Sequence, residues 1–319
     1  MYSLHFYGEM IANAPRMEPY VEALRQTVKP DSVVLDLGCG QGLFALLACR
    51  FGARRVYAAE PDNVINIARE AAVANGFGER IEFFQSLSTE VTLPEPATII
   101  ISDLRGVLPW FKQHIPSIID ARQRLLAPGG VLIARRDTLW AALVKAPEQY
   151  EDIVGPWRNR LFEVDLSPGL EKITNWWRKT RIKSDELLTE PVCWTTLNYH
   201  TVDIPNVLAE ISWRVTRSGV AHGFAVWFDT ELADGVGFTN RPGAPELIYS
   251  NGFFPFPRPV EVSEGERIHV SLRADLVQDD YVWTWATDFA DQKIEFKQST
   301  FYGVAVSPEQ LRKKHAQRS

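Results

Sequence analysis

The apolar pattern of this 319-residue chain changes period near residue 140, and that change limits what the chain can fold into. Before it, short runs rich in β-branched residues alternate with helical stretches: Ser32 to Leu37, Leu43 to Phe51, Arg55 to Ala59, Val64 to Asn75, Ile81 to Gln85, Thr98 to Ser102, Ile115 to Leu126 and Val131 to Ala134. Strand, helix, strand in that rhythm builds βαβ units, a parallel sheet with helices on both faces. From about Leu187 the helical period disappears. Alternating segments replace it (Val192 to Asp203, Leu208 to Arg217, Phe224 to Thr230, Arg267 to Ala274, Tyr281 to Thr287), separated by Gly, Pro, Asn and Asp. That pattern predicts a mainly antiparallel β domain, a barrel or sandwich. The expected organisation is an α/β domain over 1–140 and a β domain over 141–319, a length at which one core usually gives way to two.

Composition removes several classes. With 45% hydrophobic and 23% charged residues the chain is of ordinary globular make-up. Its longest uncharged apolar runs, such as Ala97 to Ser102 and Gly42 to Cys49, fall far short of the roughly 20 residues a membrane helix needs, so no membrane partner is expected. The segment Met1 to Phe6 lacks a basic stretch followed by an apolar one, so no secretory signal is read there. Three cysteines (Cys39, Cys49, Cys193), without a CxxC pair or His at ligand spacing, argue against disulfides and against a metal site. Cytoplasm is the expected compartment. A net charge of −6 disfavours a nucleic-acid partner, and the two basic clusters, Trp176 to Lys183 and Leu311 to Ser319, read as solvated faces.

Val33-Val34-Leu35-Asp36-Leu37 runs directly into Gly38-Cys39-Gly40-Gln41-Gly42, and a helical pattern follows at once. Glycines at alternate positions let the backbone turn tightly and approach a ligand, with the helix N-terminus facing it. Gly42 follows Gly40 by two residues and not three, so the spacing departs from the dinucleotide fingerprint and suits a pyrophosphate poorly. Glu60 ends the next strand, with Pro61 after it. A carboxylate there can accept hydrogen bonds from both hydroxyls of a ribose. The turn Ser86 to Glu90, with Ser88 and Thr89, would lie beside an attached base.

The segment VVLDLGCGQGLFALLACRFGARRVYAAEPD is similar to the cofactor-binding segment of class I methyltransferases, and specifically to that of the protein arginine methyltransferases. Tyr7-Gly8-Glu9-Met10-Ile11, then Arg16 and Tyr20, resembles that family's N-terminal helix. There the Met packs on the cofactor and the Arg six residues later pairs with its carboxylate. Ile99 to Asp103, Asp120 to Leu125 and Ala127 to Gly130 resemble its fourth strand, the following helix and the turn into the fifth strand. The resemblance implies a Rossmann-like methyltransferase domain followed by a β-barrel, a dimerisation arm at about 161–185, and a homodimer with Trp176 and Trp177 as hydrophobic anchors. It also implies S-adenosylmethionine as cofactor, S-adenosylhomocysteine as product, and no metal. Cofactor contacts are expected from Met10, Arg16, Asp36, Gly38, Cys39, Gly40, Gly42, Glu60, Pro61, Ser88, Thr89 and Asp103. Arg16 can clamp a carboxylate bidentately, and Asp36 can hold the loop or an ammonium.

The chain departs from the family at the acceptor. Arginine methyltransferases hold the substrate guanidinium between two glutamates; here the first position is Asp103 and the second is Lys112, with Arg105 between. Like charge at close range in a partly buried site can cost several kcal/mol. The family's Thr-His-Trp loop is replaced by Leu247-Ile248-Tyr249. These substitutions lead to the expectation that methyl transfer is retained but directed to a small-molecule or peptide acceptor. Asp103 then orients the acceptor and takes its proton, and Tyr7, Glu9, Arg105 and Tyr249 line the acceptor site. The alternatives are a protein or peptide arginine N-methyltransferase, with Glu9 as a second carboxylate, and a catalytically silent cofactor-binding scaffold. An NAD enzyme is the weakest alternative. His200 and His222 read as structural or solvent-facing, and His5 has no role.

Overall fold

The computed structural model describes residues 3–303; the basic cluster Leu311 to Ser319 lies outside them. The chain divides into two compact units. Among the described residues, the first takes 3–140, 195–205 and 227–251, and the second takes 141–194, 206–226 and 252–303.

In the first unit, α1 (Leu4–Ala12) and α2 (Ala14–Thr27) precede the sheet. Ser3 caps α1 by accepting the Phe6 amide, and Pro15 stands in the first turn of α2, where a missing N–H costs nothing. Five parallel strands follow: β1 (Val33–Leu37), β2 (Arg55–Ala59), β3 (Ile81–Phe84), β4 (Ala97–Ser102) and β5 (Leu126–Ile133), in the order β3–β2–β1–β4–β5. The crossovers are α3 (Leu43–Arg50), α4 (Ile65–Ala74) and α5 (His114–Arg124). Every residue of β1 is buried, which explains its near-continuous apolar run, since a parallel strand is covered on both faces. Val34 pairs with Val56 on one side and Ile99 on the other. Fully burying side chains such as Leu35, Ile100 and Ile101 contributes roughly 1.5–3 kcal/mol each. With β2 and β4 flanking β1 from opposite sides, the strand order reverses beside β1, and a crevice opens at the carboxyl ends of the strands.

The remaining elements are β6 (Arg136–Val144), α6 (Pro147–Arg158), α7 (Leu170–Ile173), β7 (Arg178–Thr180), β8 (Val192–Asn198), β9 (Val207–Arg214), β10 (Gly219–Ala233), β11 (Val236–Thr239), β12 (Asn251–Val262), β13 (Arg267–Val277), β14 (Asp280–Phe289) and β15 (Ile294–Ser299). In the second unit β9, β13, β14 and β15 form an antiparallel sheet in the order β15–β14–β13–β9. Residues 219–226 of β10 pair antiparallel with β12. The core of this unit is aromatic: Phe224 stacks on Phe254 at 4.8 Å, and Trp283 and Trp285 meet Phe254 at 5.6 and 5.2 Å. Trp177 is half-buried and packs on Phe254 and Trp283 inside its own unit, and Trp176 is exposed. His222 is buried on β10 and His200 lies exposed in a turn.

Candidate active site

The loop after β1 is tied to β2: the amides of Gly38 and Cys39 both donate to the Ala59 carbonyl, at 2.9 and 3.0 Å. Gly40 has φ +53°, and a Cβ there would stand 2.8 Å from Tyr7 Cε1. Gly42 has φ +82° at the start of α3, and a Cβ would meet the Ala68 Cβ at 2.6 Å. Both demands, left-handed backbone and contact distance, exclude larger residues. Gly42→Ala is therefore expected to destabilise the protein by about 2 kcal/mol, read as a lowered midpoint in denaturant. An unchanged midpoint would mean that this turn is not under the constraint described.

Asp36 anchors the next helix, its Oδ2 accepting the Ala45 amide at 2.9 Å, while Oδ1 has no partner among the described residues. Burial pushes its carboxyl up to about 7 against the pull of that amide, with Glu60 adding to the rise. Glu60 grips the loop from the end of β2: Oε2 accepts the Gly40 amide at 3.1 Å and Oε1 the Asp62 amide at 3.0 Å. Burial raises its pKa above the usual carboxylate value, although both amides oppose the shift. Each oxygen has lone-pair capacity left for one more donor.

Gly38, Cys39, Gly40 and Glu60 border a cavity of about 380 Å³ whose lining lies wholly within the first unit. Of the residues expected from the sequence, Tyr7, Met10, Arg16, Gly38, Cys39, Gly40, Glu60, Asp103 and Arg105 line it. Asp36, Gly42, Pro61, Ser88, Thr89, Glu9 and Tyr249 are not on its wall. Glu9 sits on α1, 3.4 Å from His5, with its side chain half exposed. Sequence reasoning missed Phe44, Asp62, Leu104, Phe111 and His114, which also line the cavity. Most of these follow a glycine loop or a strand end directly, and that position was the only available signal.

Arg16, Asp103 and Tyr249 form a buried cluster. Arg16 Nε donates to Asp103 Oδ2 at 2.9 Å and to the Tyr249 hydroxyl oxygen at 3.0 Å, Nη2 pairs with the same carboxylate oxygen, and Nη1 donates to the Met10 carbonyl at 3.2 Å. The Tyr249 hydroxyl donates to Asp103 Oδ2 at 2.6 Å. Burial alone would raise the Asp103 pKa; Arg16, then Arg105 and Tyr249, outweigh it and hold the carboxyl below its usual value. Tyr249 thus reaches the site through Arg16 and Asp103.

Arg105 lines the cavity, but its side chain is only 1% exposed and is held by partners inside the protein. Nη1 donates to Asp137 Oδ1 at 2.6 Å and contacts Thr230 Oγ1, Nε lies 3.4 Å from Asp103 Oδ1, and the guanidinium stands over the rings of Phe228 and Phe238 at 5.5 and 5.8 Å. Its charge is matched inside the protein, and this removes much of the like-charge objection to a cationic acceptor. Lys112, at φ +45°, places its ammonium over the Phe111 ring at 5.1 Å.

Residues 135–302 match the model of the arginine methyltransferase oligomerization subdomain, and residues 19–148 that of the ribosomal protein L11 methyltransferase. A probable protein arginine N-methyltransferase 6 of Arabidopsis thaliana is 27% identical over 83% of this chain and 62% of its own length. Protein arginine N-methyltransferase 1 of Dictyostelium discoideum is 26% identical over 83% of this chain and 80% of its own. The chain spans less than two thirds of several such relatives, and 46% of the Dictyostelium protein arginine N-methyltransferase 2. Among solved structures, the protein arginine methyltransferase 1 enzyme–prozyme heterotetramer of Trypanosoma brucei with S-adenosylhomocysteine superposes with a TM-score of 0.85 at 22% identity, covering 94% of this chain and 98% of that one. The names of these relatives specify arginine in proteins, and none of them names a small-molecule acceptor.

The residues present fit an adenosyl amino acid. Glu60 has acceptor capacity for a vicinal diol, the glycine loop allows close approach, and Arg16, paired with Asp103 through Nε and Nη2, lines the cavity with a further Nη2 N–H for a carboxylate. No cluster of metal ligands occurs among the described residues, and no helix there is long and apolar enough to cross a membrane. With more than half of its length matched by the oligomerization-subdomain model, and with the α/β fold that precedes it, the chain belongs to the protein arginine methyltransferase family of S-adenosylmethionine-dependent enzymes.

Proposed function

We propose that this chain is an S-adenosylmethionine-dependent protein arginine N-methyltransferase. The observation that carries this reading is Asp103, a carboxylate held ionised on the wall of the cavity that the glycine loop and Glu60 also border. The bound cofactor supplies an activated methyl group. Met10, Arg16 and Glu60 hold it, and Asp103 orients the guanidinium and accepts its N–H, so that the chain contributes mainly positioning and exclusion of water. We assign oligomerisation to the arm at about 161–185, where Phe162, Val164, Leu166 and Trp176 are exposed, and read a homodimer in the cytoplasm.

The test is mass spectrometry of an arginine-containing peptide after incubation with enzyme and cofactor. The expected result is methylarginine in the peptide, with at least a 100-fold loss for Asp103→Asn, as for removal of a charged hydrogen-bond partner at a reacting centre. A second reading is favoured by one observation: Asp103 already carries Arg16, Arg105 and Tyr249, and Lys112 stands at the second family position. On that reading the chain binds cofactor and serves as the non-catalytic partner of an active subunit, an arrangement named in the trypanosome enzyme–prozyme complex. Calorimetric binding of S-adenosylhomocysteine without methylation of any arginine peptide would decide for it.

A further inference from the structure

His114 opens α5, on the segment that follows β4, and is among the residues that line the cavity while being only 3% exposed. A directional relay stands behind it. The Tyr199 hydroxyl donates to Asp137 Oδ2 at 2.5 Å, and the same hydroxyl oxygen lies 3.0 Å from His114 Nε2. Full burial, then the Asp137 carboxylate, raises the Tyr199 pKa well above the ordinary phenol value, so its one proton stays on oxygen and points to Asp137. Towards His114 the phenol oxygen can then only accept. Nε2 must carry the imidazole hydrogen, and Nδ1 is left as a bare lone pair.

Nδ1 is buried and has no hydrogen-bond partner among the described residues. Burial, with Arg105 adding to it, depresses the imidazole to about 3, so the ring is neutral at any physiological pH. An edge-on contact with the Tyr199 ring, centroids 5.4 Å apart at 74°, fixes its plane. Buried acceptors without donors are rare in folded proteins, and one on a residue that lines a ligand cavity is accounted for if an entering ligand shifts the ring's neighbours and brings the donor.

We propose that His114 Nδ1 accepts an N–H of the methyl acceptor, as a neutral second acceptor alongside Asp103, with Tyr199 and Asp137 as positioning residues. This rests on the arginine reading above. A guanidinium offers five N–H donors, more than one carboxylate can take, and Lys112 offers no acceptor for the rest. A neutral lone pair orients an N–H without adding charge beside Arg105 and Lys112.

His114→Phe keeps a ring against Tyr199 and removes the lone pair, whereas His114→Asn keeps a carbonyl oxygen near the position of Nδ1. With an acetylated arginine tripeptide, His114→Phe is expected to raise KM about 10-fold to 100-fold, as for loss of a hydrogen bond to a charged group. Affinity for S-adenosylhomocysteine should be unchanged and His114→Asn should recover most of the loss. An unchanged KM in a folded His114→Phe protein would overturn the proposal. A second measurement needs no variant: nitrogen-15-labelled histidine in the wild-type protein, saturated with S-adenosylhomocysteine and titrated with methylguanidinium. The Nδ1 resonance of His114 should begin as that of the Nε2–H tautomer and move as a hydrogen bond forms. A resonance that stays fixed at millimolar methylguanidinium overturns the proposal, whereas a wild-type protein that methylates no arginine but shows the shift counts against the arginine reading alone.

Discussion

Replacing Arg105 by Leu is expected to destabilise the protein by about 3–5 kcal/mol in denaturant unfolding, the range for removing one partner of a buried ion pair. Its side chain is 1% exposed and that of Asp137 0%, so neither charge can be rescued by water when the other is lost. The Asp137 carboxylate would keep its hydrogen bonds from Thr230 at 2.6 Å and Tyr199 at 2.5 Å, which ease the penalty without removing a buried negative charge. Asp103 would lose its 3.4 Å neighbour as well. The double variant Arg105→Leu with Asp137→Leu removes both charges and should recover most of the loss, because the cost lies in the uncompensated partner. A single variant within about 1 kcal/mol of wild type would show that water or a rearranged side chain reaches this network. The cycle matters for function too. Asp137 holds Tyr199 and thereby His114, so the double variant should regain stability while leaving the His114 tautomer unfixed, separating the two jobs of one carboxylate.

What the sequence made legible follows from how local each signal is. Strands β1 to β4 could be read because a parallel strand buried on both faces writes itself as an apolar run. Strand β5 was expected at Val131 to Ala134 but spans Leu126–Ile133: Ala127-Pro128-Gly129-Gly130 carries turn chemistry, and Gly129 does adopt φ +75°. Strand β12 escaped notice because Pro255, Pro257 and Pro259 fall within it. It is accommodated by a register shift in β10 between Ala221 and Gly223, where a Cβ on Gly223 would stand 2.2 Å from the Phe254 carbonyl oxygen. The glycine loop and Glu60 were legible for the same reason of locality, each directly ending a strand. Arg105 was not. Its partners Asp137 and Thr230 lie 32 and 125 residues further along the chain, so its charge looked unmatched until the fold brought them together. A lone histidine at a helix start, such as His114, leaves no sequence signature; its meaning comes wholly from Tyr199, 85 residues away.

Glu60→Ala is expected to weaken binding of S-adenosylhomocysteine by about 100-fold to 1000-fold in calorimetry, or about 3–4 kcal/mol. Two ribose hydroxyls donating to a carboxylate are charge-assisted, at about 1.5–3 kcal/mol each, and a site open to its cavity realises less than the full sum. The side chain also holds the Gly40 and Asp62 amides, so its removal slackens the loop that the ligand must meet. Glu60→Gln separates these contributions. It keeps one carbonyl oxygen and loses the charge, and about a 10-fold to 30-fold loss is expected if the diol contact dominates. The wild-type affinity should also depend on pH, with a definite sign. Burial raises the pKa of this carboxyl, so on acidification it protonates before an exposed glutamate would, and a protonated carboxyl has one oxygen that no longer accepts. Binding should therefore weaken as pH falls, and Glu60→Gln should lose that part of the dependence. Affinity in Glu60→Ala equal to that of wild type would place the ribose elsewhere and leave the glycine loop as no more than a turn.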